Sequence, residues 1–385
     1  MPELFSFIPL RYYTLYFDLL IMVLVLFTYI QCARGNVFHP QATSINSSMG
    51  TIVMVFIILY MGLRNPYSSF FGDTVNYAHG FDNLAISHTP FNWSWKGEWF
   101  FYSLMGFIAK STGDVRILFL LCALIYVGSL WLAMVRMFGD HYYIPFLVIL
   151  SMFTFWTYGV NGMRNGMGAS LFILALSFAD NIPIMVFFAF LAVGCHKSVS
   201  LMIGAALVTW FFNNCRLFLS LWLLAVVASY LAGYSIQHYI GSIGFLGEDA
   251  RFNYYMTTDA ETFLRWEGTR LKMGFRWDFL AYSAIAVYVG YYFIIKRKFQ
   301  DEYYHWLYNI YLLTNAFWVL VIRAAFSNRF AQISWFIMPV VLIYPFMKKR
   351  FFPNHELMTG VAILVFYAFA FFTNVVIPVI GILQK

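Results

Sequence analysis

Four short motifs combine cations with small or polar residues, in a chain where only 11% of the residues are charged. The motifs are GLRNPYSSFFGDTVNY with Arg64 and Asp73, MRNGMGAS with Arg164, CHKS with His196 and Lys197, and SNRF with Arg329. Arginine stays charged at any accessible pH, and its planar fork donates paired hydrogen bonds to phosphate oxygens. Because each motif stands at the end of an apolar run, we expect a site that handles a polar substrate beside lipid.

Two residues of these motifs are candidates for proton transfer. On spacing alone, Asp73 fits a general base, a helix cap or an ion-pair partner of Arg64. His196 fits either a base or a hydrogen-bonded histidine at the membrane interface. Arg164 fits an anion ligand or an arginine that snorkels to the interface. The secondary candidates are Tyr77, Lys197, Arg276, Asp278 and Arg323, and Glu98 is a weaker candidate of the same kind.

Motifs for metal or nucleotide chemistry are absent from the sequence. There is no GxxxxGK[ST], no HExxH and no pair of carboxylates at DxD spacing, which disfavours a soluble nucleotide-sugar transferase. Cysteines 32, 122, 195 and 215 show no CxxC spacing, so neither a disulfide framework nor a zinc site is expected. The basic residues form no nucleic-acid-binding stripe. We therefore predict no metal, no cofactor and no nucleic-acid partner.

The elements that position these motifs are predicted to be membrane helices. Of the 385 residues, 62% are hydrophobic and 22% are aromatic, and the mean hydropathy is +0.71. These values lie outside the range of a soluble globular domain. The apolar runs are continuous rather than alternating, which favours helices over a barrel. The predicted fold class is an all-α polytopic membrane protein that forms a single transmembrane domain over residues 1–385.

Twelve spans are predicted from the apolar runs between charges and turn signals. They lie near residues 14–32, 48–63, 115–136, 142–159, 163–179, 182–197, 199–213, 216–240, 277–296, 304–325, 329–347 and 358–382. The first is expected to be a retained span because no A-x-A-like cleavage site follows it. The segment from Glu98 to Lys110 offers too few apolar residues to cross, so we predict a re-entrant or interfacial helix there.

Basic clusters near span ends predict the orientation. The clusters at 296–298 and 348–350 lie in short loops an even number of spans apart, and we place both in the cytoplasm. Span counting then puts both termini and the segments 64–114 and 241–276 outside. It also puts all four polar motifs on one side. The segment 241–276 mixes charges with aromatic residues, which fits either a surface that stacks on sugar rings or an interfacial aromatic belt.

The ordered set of motifs resembles the EpsG-type bacterial exopolysaccharide polymerases, within the wider class of O-antigen polymerases. The resemblance covers roughly residues 1–350. It runs through Gly62-Leu63-Arg64, Gly72-Asp73-Thr74, a short helix, Asn161-Gly162 with Arg164 and Gly168, the CHKS sequence, and the Asn-Arg-Phe that contains Arg329.

The resemblance implies a GT-C-like, metal-independent membrane glycosyltransferase at the outer leaflet of a bacterial inner membrane. Its donor would be a glycan on undecaprenyl pyrophosphate, and its acceptor a single lipid-linked repeat unit. Arg64, Arg164 and Arg329 would stabilise the leaving pyrophosphate. Either Asp73 or His196 would act as the base.

A flippase and a chain-length regulator are the expected protein partners, alongside membrane lipids.

Two other functions fit the same residues. A glycan ligase, which moves a finished polymer onto another acceptor, would use similar arginines and a histidine. A transporter or flippase of lipid-linked sugars is an alternative from a different class. Transporters often contain internal repeats with broken helices in matching positions, and no such repeat is visible in this sequence.

Overall fold

A computed structural model describes residues 4–5, 7–242, 256, 274–325 and 327–378. All regular secondary structure in these residues is helical, which confirms the all-α prediction. The helices are α1 (Leu10–Ala33), α2 (Pro40–Gly62), α3 (Thr74–Ile86), α4 (Trp99–Ser111), α5 (Val115–Phe138), α6 (Tyr143–Leu150), α7 (Phe155–Val160), α8 (Met163–Leu176), α9 (Ile182–Cys195), α10 (Val199–Phe211), α11 (Cys215–Ser242), α12 (Trp277–Tyr291), α13 (Glu302–Leu320), α14 (Asn328–Trp335), α15 (Met338–Lys348) and α16 (His355–Phe371). Most of the predicted outer segment 241–276 lies outside the described residues.

The first of two compact units contains residues 1–199 and 346–385. Within it α1 packs against α16, α2 packs against α5, and α5 and α9 both pack against α8. Tyr13 of α1 and Tyr60 of α2 stack with ring centroids 4.2 Å apart, and each hydroxyl donates to the other residue's carbonyl oxygen at 2.8 Å. These buried polar groups are therefore satisfied where no water is available.

The second unit contains residues 200–345. Within it α13 packs against α11, α12 and α14. A buried chain of hydrogen bonds joins three of these helices: Trp222 Nε1 donates to Asn315 Oδ1 at 2.8 Å, and Asn315 Nδ2 donates to Ser334 Oγ at 2.8 Å. Fully satisfied buried networks of this kind fix the register of neighbouring helices. The prediction of one transmembrane domain stays a prediction.

Seven helical segments are long and apolar enough to cross a membrane, within the residues described. They are Leu10–Ala33, Pro40–Gly62, Val115–His141, Cys215–Ser242, Trp277–Lys296, Asn328–Lys348 and His355–Val376. The other five of the twelve predicted spans coincide with shorter or less apolar helices, so the count of twelve is not confirmed. The predicted span 142–159, for example, is broken into α6 and α7, which have eight and six residues.

Helix α2 begins well before the predicted boundary at residue 48. It starts at Pro40, in a stretch rich in Ser, Thr and Asn. Proline is favoured in the first helical turn, where its missing N–H costs no hydrogen bond. Two of the polar side chains donate to neighbouring segments: Asn46 Nδ2 donates to Gln31 Oε1 at 3.0 Å, and Ser47 Oγ donates to the Asp140 carbonyl at 2.8 Å. Hydropathy alone therefore missed the first two turns.

Helix α4 corresponds to the segment predicted not to cross. Its 13 residues span about 20 Å, which is less than the roughly 30 Å of the hydrocarbon core. Helices α8, α9 and α10 have 14, 14 and 13 residues and are equally short. The span-parity argument depends on which of these cross. The placement of the motifs on one side, and the orientation with its two outward segments, stay predictions.

Candidate functional site

Glu98 joins two of the predicted site residues that lie far apart in the sequence. Arg164 Nη1 donates a hydrogen bond to Glu98 Oε2, and His196 Nε2 lies 3.5 Å from Glu98 Oε1. The side chains are 12% exposed for Glu98, 15% for Arg164 and 29% for His196. We call these three residues the Glu98 cluster. Each side chain is mostly buried but remains partly accessible. Charges interact strongly in such an environment, and a ligand can still contact them.

Two tyrosines fix the direction of the Arg164 guanidinium. Arg164 Nε donates to the Tyr77 hydroxyl at 2.9 Å, and Nη1 donates to the Tyr102 hydroxyl at 2.9 Å. Burial raises the pKa of Tyr77, so its hydroxyl is neutral and accepts the hydrogen bond. With Glu98 as a third acceptor, the guanidinium is held in one orientation before any ligand arrives. Such preorganisation is what makes a donor effective in stabilising developing charge.

The hydrogen bonds around His196 favour one neutral tautomer. The backbone N–H of Ser198 donates to His196 Nδ1 at 3.2 Å, and Ser198 Oγ lies 2.7 Å from the same nitrogen. Since Nδ1 accepts a backbone N–H, we assign the proton of the neutral ring to Nε2, which faces Glu98. Ser198, His196 and Glu98 thus lie in series as hydroxyl, imidazole and carboxylate. This arrangement can accept a proton at the imidazole while the carboxylate stabilises the resulting cation.

Close helix contacts bring the three residues of the cluster together. Glu98 immediately precedes α4, Arg164 lies in the first turn of α8, and His196 ends α9. A Cβ on Gly168 of α8 would lie 3.0 Å from the Ala192 carbonyl oxygen of α9. A Cβ on Gly194 of α9 would lie 2.6 Å from the Trp99 ring of α4. Glycine is needed at both positions because no side chain fits between the packed helices.

Arg64 lies in the protein interior, with only 1% of its surface exposed. Nη2 donates to Thr74 Oγ1 at 2.9 Å and to the Val160 carbonyl at 3.1 Å, and Nη1 donates to the Met61 carbonyl. Burial lowers the pKa of the Arg64 guanidinium to about 10, so it remains protonated at neutral pH. Arg64 fastens the end of α2 to the start of α3 and to the backbone that precedes α8, and its role as a pyrophosphate ligand stays a prediction.

Asp73 is exposed beside this buried arginine. Its backbone N–H donates to Asn161 Oδ1 at 2.7 Å, and its carboxylate accepts a hydrogen bond of 3.4 Å from Asn76 Nδ2. It occupies the N-cap position of α3 without a side-chain capping bond. In the part of the chain that the structure describes, Asp73 and Arg64 form no ion pair. The predicted cap and ion-pair alternatives are therefore not realised, and Asp73 remains an accessible carboxylate.

The other predicted site residues in the second unit are Arg276, Asp278, Arg323 and Arg329. Arg276 and Asp278 pair with each other, with Nη2 and Oδ2 2.7 Å apart. Arg323 Nη2 donates to the Tyr230 carbonyl at 3.4 Å, and its guanidinium lies over aromatic rings of the same unit. Arg329 is exposed in the first turn of α14. In the first unit, Lys197 is exposed next to His196.

Glu98 is the residue whose importance sequence reasoning underestimated. Its signal was a lone carboxylate at the start of a short apolar helix, but its two partners lie 66 and 98 residues further along the chain. Tyr102 and Ser198 were likewise left outside the predicted site. Among the residues for which the structure gives positions, no group of three or more His, Cys, Asp or Glu side chains could hold a metal ion.

Comparison with protein families places most of this chain in one family. A model described as the EpsG family matches residues 49–384, which include every predicted site residue. Comparison with curated proteins and with solved structures finds no match.

Proposed function

The chain belongs to the EpsG family, and from that premise we propose that it is a membrane polysaccharide polymerase. In this proposal it transfers a growing glycan from undecaprenyl pyrophosphate to a lipid-linked repeat unit. The product would be an exopolysaccharide, a capsule or an O-antigen. The observation that carries the proposal is the Glu98 cluster, because it joins the arginine and the histidine of two family-like motifs around one carboxylate.

Arg164 is proposed to stabilise the leaving group. As the bond from the anomeric carbon to the pyrophosphate oxygen breaks, negative charge develops on that oxygen. The guanidinium is already oriented by Glu98 and two tyrosines, and it is partly shielded from water. Loss of one preorganised donor of this kind typically costs about 3 to 4 kcal/mol in transition-state stabilisation. Arg329 stays a candidate pyrophosphate ligand from the sequence alone.

His196 is proposed to accept the proton of the acceptor hydroxyl. The hydroxyl oxygen forms a bond to the anomeric carbon as the pyrophosphate leaves with the bonding electron pair. The released proton moves through the Ser198 hydroxyl, 2.7 Å away, to His196 Nδ1, and the Ser198 backbone N–H gives up its hydrogen bond to that nitrogen. Glu98 stabilises the imidazolium that results. Asp73 is the competing base, and its exposed carboxylate makes it the less favoured of the two.

The wider setting of the reaction belongs to the same proposal. We place the site at the periplasmic face of a bacterial inner membrane, on a GT-C-like arrangement of about twelve spans. The reaction would be metal-independent, and a flippase would supply the lipid-linked units that the enzyme joins. These features rest on the family resemblance and on the distribution of basic loops.

The test is a polymerisation assay in liposomes that contain the purified protein and lipid-linked repeat units from the host. The wild-type protein should produce a ladder of glycans longer than one unit. Glu98→Gln keeps the size of the side chain and removes its charge, so we expect a rate at least about 100-fold lower. The matched control is Glu302→Gln: this glutamate is exposed at the start of α13 and lies outside the Glu98 cluster, so the variant should polymerise normally.

The competing functions give different products in the same liposomes. A transporter would move lipid-linked units across the bilayer without lengthening any glycan. A ligase would transfer a finished polymer to another acceptor and leave single units unjoined. Either product from the wild-type protein, in place of the ladder, would refute the polymerase proposal.

A further inference from the structure

A row of aromatic rings lies on both sides of Glu98 in the sequence. It begins in the connection between α3 and α4, where Trp93 and Trp95 have ring centroids 5.7 Å apart. Trp95 lies 4.7 Å from Trp99, and Trp99 lies 4.8 Å from Phe190 of α9. Trp99 is the residue that follows Glu98 in the chain. We call Trp93, Trp95 and Trp99 the tryptophan row.

The outer members of the row are open to the surroundings. Trp93 is 45% exposed and Trp95 is 65% exposed, whereas Trp99 is 7% exposed and anchors the row against Gly194. The connection is also fixed to α4: the Ser94 backbone N–H donates to Ser103 Oγ at 3.4 Å, and Ser103 Oγ donates to the Ser94 carbonyl at 3.3 Å. The backbone between the two exposed rings is therefore fixed to α4.

Polar residues alternate with the aromatic ones along this connection, which reads FNWSWK from Phe91 to Lys96. The Trp93 and Trp95 rings lie 5.7 Å apart, and Asn92, Ser94 and Lys96, which are all exposed, provide hydrogen-bonding groups on the residues next to them in the chain. A pyranose ring has an apolar face that stacks on an aromatic ring and hydroxyls at its rim that need polar partners. The connection offers both at once.

We propose that the tryptophan row binds the oligosaccharide of the lipid-linked repeat unit and guides its acceptor hydroxyl to His196. This inference rests on the proposed function, because it names the part of the substrate that the same site recognises. The continuity of the row with Glu98 through Trp99 is the reason to assign it a glycan instead of a lipid headgroup. A surface that only anchors the protein at the interface has no need to run into a charged, half-buried cluster.

The test compares the kinetic constants of two variants with those of a matched control. Trp95→Ala should raise KM for the lipid-linked repeat unit on the order of tenfold and leave kcat close to the wild-type value. Trp95→Phe, which keeps a ring, should restore most of the affinity. The control is Trp210→Ala on α10, a tryptophan that is 43% exposed and lies outside the row. An unchanged KM in Trp95→Ala, with a loss of stability in bilayers only, would overturn the inference and leave an interfacial anchor.

A binding measurement separates failure of this inference from failure of the proposed function. The probe is the host's own repeat-unit oligosaccharide, released from its lipid by mild acid, and the signal is the heat of binding to the purified protein in isothermal titration calorimetry. Binding that is lost in Trp93→Ala and in Trp95→Ala supports the tryptophan row even if the wild-type protein forms no ladder. Equal binding by wild type and both variants refutes the row even if polymerisation is normal.

Discussion

Arg64 and Arg164 occur in similar sequence contexts but differ in exposure and in the groups that accept their hydrogen bonds. Arg64 follows α2 and Arg164 opens α8, and both stand at the end of an apolar run within a short polar motif. Arg64 is 1% exposed and donates to a hydroxyl and two backbone carbonyls, whereas the Arg164 side chain is 15% exposed and donates to a carboxylate and two phenols. An arginine at a membrane boundary needs partners, but the motif does not say whether the protein or a ligand supplies them.

The physical basis of the difference is the chemistry of the acceptors. Backbone carbonyls such as those of Met61 and Val160 cannot move away without disrupting a helix end, so Arg64 is committed to holding structure. The partners of Arg164 are side chains, and one of them, Glu98, also faces His196. Side-chain partners can rearrange when a phosphate arrives. We therefore expect Arg64 to contribute chiefly to stability and Arg164 chiefly to the reaction.

The largest effect that separates the two arginines is expected from Arg164→Lys. Lysine keeps the positive charge but loses the fork that contacts Glu98 and the tyrosines, so polymerisation should fall by about 100 to 1,000-fold. Cells that carry this variant should display single repeat units and no polymer ladder, while the purified protein should unfold near the wild-type temperature. Arg136→Lys is the control, because Arg136 also pairs with a carboxylate, Asp180, and lies over an aromatic ring. A normal ladder from Arg164→Lys would remove the leaving-group role.

Arg64→Lys is expected to have a smaller effect on activity and a clear effect on stability. A lysine cannot reach the same acceptors with its single ammonium group, and each buried acceptor left unsatisfied costs about 1 to 3 kcal/mol. The thermal unfolding midpoint in detergent should fall, and the activity per folded molecule should stay within about threefold of wild type because the Glu98 cluster is intact. A large loss of kcat at unchanged stability would contradict this division of roles and would return Arg64 to the pyrophosphate.

Part of this arrangement could be predicted from the sequence. Apolar runs located the long helices well, as in α5, predicted at 115–136 and observed at Val115–Phe138. Hydropathy reports how a segment partitions into lipid, so it did not detect the break between α6 and α7 or the polar start of α2. It also carries no information on burial. The contact of Glu98 with Arg164 and His196 arises only after α4, α8 and α9 pack together, which no local pattern encodes.

The smallest effect is expected from Asp73→Asn. This variant tests whether Asp73 or His196 is the base. Asp73 lies next to the buried Arg64 region, is exposed, and pairs through its backbone with Asn161, so the loss of its charge should change the polymerisation rate by less than about threefold. The measurement is the same liposome assay with His196→Ala alongside, for which we expect a rate about 100-fold lower or worse. The reverse order of effects would assign the base to Asp73. It would also mean that the reacting groups lie beside Arg64, so that the buried arginine and not the Glu98 cluster marks the catalytic centre.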